Sequence, residues 1–212
     1  MRIAACFTGR ITTWEKNVRG IMDMIKQSFE HSVIDYYMSL NKHSDCNELI
    51  NLVRPVKFHI SKIEPNPGLN LFKQKMISGL YHKWKVIQLI KETEAEYDWV
   101  IFIRCDYLDP PLFCLNHLPV ENTLYVPVPS MDDQYTLNRI PDHLDAGSLK
   151  TMETFAEIYT HIHKYIDIDT KAPEEILYQY FIETCLKLER FIWFVYLDPE
   201  RGGYGCKNET YD

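Results

Sequence analysis

Three acid-bearing or base-bearing stretches carry the residue types from which chemistry can be built. The run "WVIFIRCDYLDPPL", residues 99 to 112, is apolar until it meets Arg104, Asp106 and Asp109 within six residues. Two carboxylates three apart, where an extended run gives way to a turn, suit a hard divalent cation such as Mg2+ or Mn2+, which takes oxygen ligands and keeps positions open for phosphates. The plainer use of Asp106 and Asp109 is to stabilise the turn before Pro110 and Pro111. Arg104, at the end of a run expected to be buried, calls for an anionic partner, either a neighbouring acid or a ligand.

The second stretch is "FTGR", residues 7 to 10, where an apolar run ends in a tight turn at Gly9 followed by Arg10. Backbone N–H groups and a guanidinium at such a turn can hold a base or a phosphate, and an ordinary strand-to-helix turn explains the residues equally well. Neither GxGxxG nor GxxxxGK[ST] occurs here, which disfavours a dinucleotide-binding Rossmann enzyme and a P-loop kinase. In the third stretch, "SMDDQYTLN", residues 130 to 138, Asp132 or Asp133 is a candidate general base, or simply part of a solvated loop. Of the lysines in residues 71 to 94, Lys75 and Lys83 are the ones placed to reach phosphates, although the set reads chiefly as a wet helix face. His161 and His163, two apart on an expected helix, point in different directions and make a poor metal pair.

The elements that must position these groups follow from hydrophobic periodicity. "RIAACFT" (2–8) predicts a buried strand, and Thr12 with Glu15 a capping box opening a helix striped by Val18, Ile21, Met22, Ile25 and Phe29. "SVIDYYMSL" predicts a second strand, 45–53 a short helix, and "PVKFHISKI" a strand with one wet face, broken by "PNPG" at 65–68. Residues 71–94 read as a long helix with Met76, Ile77, Leu80, Trp84, Ile87 and Ile90 on one stripe, leading to the strand that starts at Trp99. "NTLYVPVP" predicts a further strand, its prolines favouring the edge or end of a sheet. Helices over 146–166 and 174–190 follow, the second opened by Pro173 with Glu174 and Glu175 in its first turn, and "FIWFVYL" at 191–197 predicts a last strand. Alternating strands and helices predict an α/β fold with a mostly parallel sheet, whose ligands sit beyond the carboxyl ends of its strands. Asp106 and Asp109 fall at such an end.

Composition narrows the class. The chain has 212 residues, 46% of them hydrophobic, enough for one substantial core, and we expect a single domain over 1–212, whether alone or as the catalytic part of a longer chain. A net charge of −7 argues against a general nucleic-acid binder. No stretch approaches the apolar length of a membrane span, and the N-terminus lacks a signal-peptide pattern, so the expected setting is cytoplasmic. Six scattered cysteines (Cys6, Cys46, Cys105, Cys114, Cys185, Cys206) form no CxxC pair and read as reduced thiols.

Taken in order, "LYHKWKVIQL", "YDWVIFIRCD", "LYVP", "DDQY" and "PEEILYQYF" resemble the R-x-D type glycosyltransferases of large DNA viruses of algae and amoebae and of microbial surface-polysaccharide loci, over roughly residues 2 to 190. The resemblance implies a GT-A (Rossmann-like) fold with a mixed, mostly parallel central sheet flanked by helices. It implies transfer of a sugar from a nucleotide-sugar donor, UDP-linked, to a glycan or glycoprotein acceptor, with Mn2+ or Mg2+ assisting. By position it assigns Asp106 to the metal or ribose, and Arg104 stands where many GT-A enzymes have the first acid of D-x-D. With that ligand lost, either Asp109 substitutes, or the metal is weakly held, or Arg104 itself neutralises phosphate and no metal is needed. Thr8, Gly9 and Arg10 fall at the nucleotide end, Asp133 and Gln134 near the sugar and acceptor with Asp133 as candidate base, and Glu174 is a second candidate base or acceptor contact. For a viral protein the setting would be the host cytoplasm, and oligomeric state is left open. Because Arg104 replaces an acid, a non-catalytic sugar or partner-binding module is the rival reading. A metal-dependent nucleotidyltransferase or phosphohydrolase using the same acids is another.

Overall fold

The computed structural model describes residues 1–11, 14–62, 68–105, 117–127, 140, 144–166 and 173–191. Several expectations lie outside these residues: the Thr12 cap, the "PNPG" breaker apart from Gly68, all of Asp106, Asp109, Asp132, Asp133 and Gln134, and nearly all of 191–197.

Strand β1 (Arg2–Gly9) is buried on both faces from Ile3 to Thr8, as a central parallel strand must be. Helix α1 (Trp14–Ser28) returns the chain to β2 (Val33–Asn41), and α2 (Cys46–Val53) to β3 (Lys57–Ser61). The long helix α3 (Leu71–Lys91) is started by Asn70, whose side chain accepts from the Lys73 N–H at 2.9 Å, and leads into β4 (Trp99–Arg104). After β5 (Thr123–Pro127) comes β6 (Leu144–Gly147), then α4 (Leu149–Ala156), capped by Ser148. A short helix α5 (Ile158–His161) and a 3-10 turn (Ile162–Lys164) precede α6 (Pro173–Glu183) and β7 (Lys187–Phe191).

The sheet order is β3-β2-β1-β4-β6-β5-β7. Strands β3, β2, β1 and β4 are mutually parallel, β6 runs antiparallel to both β4 and β5, and β7 is parallel to β5. The α/β architecture with a mixed, mostly parallel sheet is therefore as the sequence predicts. Alternate residues of the central strands feed two cores. Ile3, Ala5 and Phe7 pack with Val18, Ile21 and Ile25 of α1 and Leu49 of α2. On the other face Ala4, Cys6, Val100 and Phe102 pack with Leu80, Ile87 and Ile90 of α3, Phe155 of α4 and Leu177 of α6.

Three local readings are corrected. Residues 144–147 form a strand, where a helix was expected from 146; four residues with an acid among them carry no period-2 signal. Gly147 is needed there, because a Cβ would lie 3.1 Å from the Thr123 carbonyl oxygen. Helix α6 ends at Glu183 rather than near 190, and the chain becomes β7 from Lys187. The β5 strand lies between β6 and β7, and Pro127 falls at its end, one of the two placements its prolines favoured, as the last position of the pairing, where no further donor is needed. Finally, Lys83 is buried instead of lying on a solvated face.

The candidate site at the carboxyl edge of the sheet

A parallel sheet brings the ends of neighbouring strands to one edge, and its register decides which side chains stand together. Thr8 of β1 is in register with Ser39 of β2 on one side and Arg104 of β4 on the other. Each has the strand parity of the residues that pack against α3, so the three form a polar row, Ser39–Thr8–Arg104, on that face at the carboxyl edge. Thr8 is 2% exposed and Ser39 fully buried, while Arg104, the last residue of β4, is partly exposed. Beyond Thr8, Gly9 has φ +89°, a left-handed conformation that favours glycine, and turns the chain so that Arg10 is exposed. The sequence-predicted nucleotide-end residues Thr8, Gly9, Arg10 and Arg104 thus occupy adjoining strand ends.

Helix α3 leads from the carboxyl edge back to the start of β4, so its first half lies nearest this edge. Lys75 is exposed, three residues before Ser78 and seven before His82, on one helical stripe. That stripe carries a buried network. His82, with no solvent exposure, has Nδ1 2.8 Å from Ser39 Oγ and Nε2 2.9 Å from Asn41 Oδ1. The Asn41 amide also meets Ser78 Oγ, at 3.0 Å through Nδ2 and 3.1 Å through Oδ1. Burial, reinforced by nearby His59, lowers the His82 pKa to about 3, so the ring is neutral at ordinary pH. Since an amide oxygen only accepts, Nε2 carries the ring proton, and Nδ1 receives the hydroxyl hydrogen of Ser39.

One residue further along α3, the Lys83 ammonium pairs with Asp145 of β6, with side-chain exposures of 6% and 0%. Asp145 is in register with Phe102, two residues before Arg104. The ammonium also lies 5.9 Å from the Phe102 ring centre and 5.6 Å from that of Phe155.

Helix α6 leads into β7, which is parallel to β5, so its first turn faces the carboxyl edge. Glu174 lies in that turn, half-buried, and its carbonyl accepts from the Ile140 N–H at 3.1 Å. Asp106 follows the described β4 segment by one residue past Cys105, and Asp106, Asp109 and Asp133 all lie outside the described residues. Among the described residues no group of three or more His, Cys, Asp or Glu side chains could hold a metal ion, and no helix is long and apolar enough to cross a membrane. The described cysteines Cys6, Cys46, Cys105 and Cys185 are free thiols.

Ser39, Asn41, His82 and Asp145 were not singled out in the sequence. A signal was present for three of them. Ser39 and Asn41 alternate with Leu40 at the end of β2 after the apolar Met38, and His82 lies one helical turn after Ser78.

No family model matches the sequence, and no curated protein matches it. Solved structures do. The glycosyltransferase GlyE of Streptococcus pneumoniae TIGR4, in its apo form, superposes with TM-score 0.51 at 11% identity, over 88% of this chain and 44% of GlyE. The galactosyltransferase LgtC, solved with donor and acceptor sugar analogues, gives TM-score 0.52 at 14% identity, over 85% of this chain and 70% of LgtC. The chain thus spans less than half of the GlyE chain. These likenesses define the class of fold: a GT-A type α/β fold, as the sequence resemblance implied.

Proposed function

We propose that this chain is a glycosyltransferase that moves a sugar from a nucleotide-sugar donor, UDP-linked, to a hydroxyl of a glycan or glycoprotein acceptor. The observation that carries the reading is the row Ser39–Thr8–Arg104 with the Gly9 turn at the carboxyl edge of a GT-A type sheet. Crevices at that edge are where open α/β sheets take their ligands.

In this reading the Gly9 turn and Thr8 take the nucleoside end, while Arg10, Arg104 and Lys75 supply positive charge to the diphosphate. The acceptor oxygen bonds to the anomeric carbon as the bond from that carbon to the diphosphate oxygen breaks. The hydroxyl proton passes to a carboxylate, Asp133 or Glu174, and the diphosphate leaves with the bonding electrons. Asp106 and Asp109 are the residues to hold Mn2+ or Mg2+, which would supply further charge stabilisation to the leaving group. Incubating the protein with UDP-glucose, UDP-galactose and UDP-N-acetylglucosamine plus MnCl2, and measuring released UDP, tests the reading. Slow UDP release that Asp106→Ala abolishes supports it, whereas release of inorganic phosphate or pyrophosphate would favour the phosphohydrolase or nucleotidyltransferase alternative. The substitution of Arg104 for an acid favours a second reading, a sugar-binding module without turnover, which would show as nucleotide or glycan binding and no UDP release.

A further inference from the structure

We infer that His82 is a positioning residue for the nucleotide end of the proposed pocket, acting through Ser39 and Asn41 to hold the end of β2 in register beside Thr8 and the Gly9 turn. This rests on the glycosyltransferase reading above. The ring reaches both residues at once, 2.8 Å to Ser39 Oγ and 2.9 Å to Asn41 Oδ1, and so clamps two alternate positions of one strand end to α3. Ser39 is in register with Thr8, and its neighbour Leu40 with Gly9. A displacement of the β2 end is therefore transmitted directly to the residues that would meet a nucleotide.

The position in the fold is informative. Along β2, Tyr37 and Ser39 have the same facing, yet only the residues at the carboxyl end enter this network with α3. An apolar ring and two apolar partners of similar size would fill the same space without the penalty that a broken polar network incurs. A fully bonded network instead has one geometry, because each donor must face an acceptor, and rigidly fixed support is what a binding site requires of the residues behind it. Ser78, which also meets the Asn41 amide, extends the clamp one turn toward Lys75.

The test is a double-mutant cycle with Ser39→Ala and His82→Gln. Wild type, both single variants and the double variant are titrated calorimetrically with UDP, GDP and CMP in MnCl2, and the Tm of each is recorded. Glutamine places an amide nitrogen where Nε2 stands, so it keeps the Asn41 contact and loses the one to Ser39. Both single variants are expected to weaken the nucleotide that wild type binds by about tenfold, about 1.4 kcal/mol, and the double variant no further, because both cut one link. Wild-type affinity in folded variants with lowered Tm would make the network merely structural and overturn the inference, as would losses that multiply in the double variant. If His82→Gln does not fold, Ser39→Ala alone decides by the same criterion. Failure of wild type to bind any of the three nucleotides would instead remove the glycosyltransferase reading, and this inference with it.

Discussion

Lys83 and Asp145 form an ion pair between α3 and the antiparallel strand β6, and neither side chain has appreciable contact with water. Desolvating two charges costs several kcal/mol per ion, which the attraction between them and the flanking Phe102 and Phe155 rings offset only while both are present. Asp145→Asn leaves a buried ammonium without its counter-ion and is predicted to destabilise the protein by about 3–5 kcal/mol. Lys83→Met combined with Asp145→Leu is predicted to recover most of that loss. Urea denaturation of the three proteins measures both effects; equal stability of Asp145→Asn and wild type would contradict the account.

The buried neutral state of His82 makes stability depend on pH. In the unfolded chain a histidine takes up a proton as pH falls through about 6.5, whereas folded His82 does so only near pH 3. Its contribution is therefore complete above about pH 6.5 and lost progressively as pH falls toward 3, the loss reaching about 2 kcal/mol by pH 5. Other shifted groups add to the pH dependence, among them His59, lowered by burial and Lys85, and the carboxylates of Asp45 and Glu92, lowered by Ser44 and Lys57 respectively. The variant isolates the His82 share: between pH 7 and pH 5, His82→Gln is predicted to lose about 2 kcal/mol less than wild type. Parallel losses in urea denaturation at the two pH values would contradict it.

Gly9 tests the turn that follows Thr8. A Cβ at this position meets nothing within 4 Å, so any cost of Gly9→Ala comes from the backbone at φ +89° and not from crowding. The predicted cost is about 1–2 kcal/mol, read as a lowered Tm, accompanied by weaker nucleotide binding because Thr8 and Arg10 flank the turn. An unchanged Tm would show that the turn adapts without strain.

The fold was legible where one residue type repeats at one period. "RIAACFT" and "WVIFIR" are apolar on both faces, which marks central parallel strands, and β1 and β4 are indeed neighbours. It was not legible at "LDAG", where Asp145 interrupts a four-residue strand for the sake of a lysine 62 residues away. Lys83 itself was readable in retrospect: Met76, Leu80, Lys83, Ile87 and Ile90 are spaced four, three, four and three apart, so the lysine occupies a core position of α3. Its charge, not its spacing, suggested the wet face. For the candidate site, residue type and position pointed to the FTGR turn and the end of β4, which strand register brings side by side. The support behind them was not, because the Ser39–His82 contact joins residues 43 apart and depends on strand register, which a single sequence does not state.

The most direct test of the central claim is calorimetric titration of the wild-type protein with UDP, GDP and CMP, each with and without MnCl2. The account predicts that UDP binds, that MnCl2 strengthens its binding, and that Arg104→Ala weakens it. Absence of binding by all three nucleotides under both conditions would contradict the account.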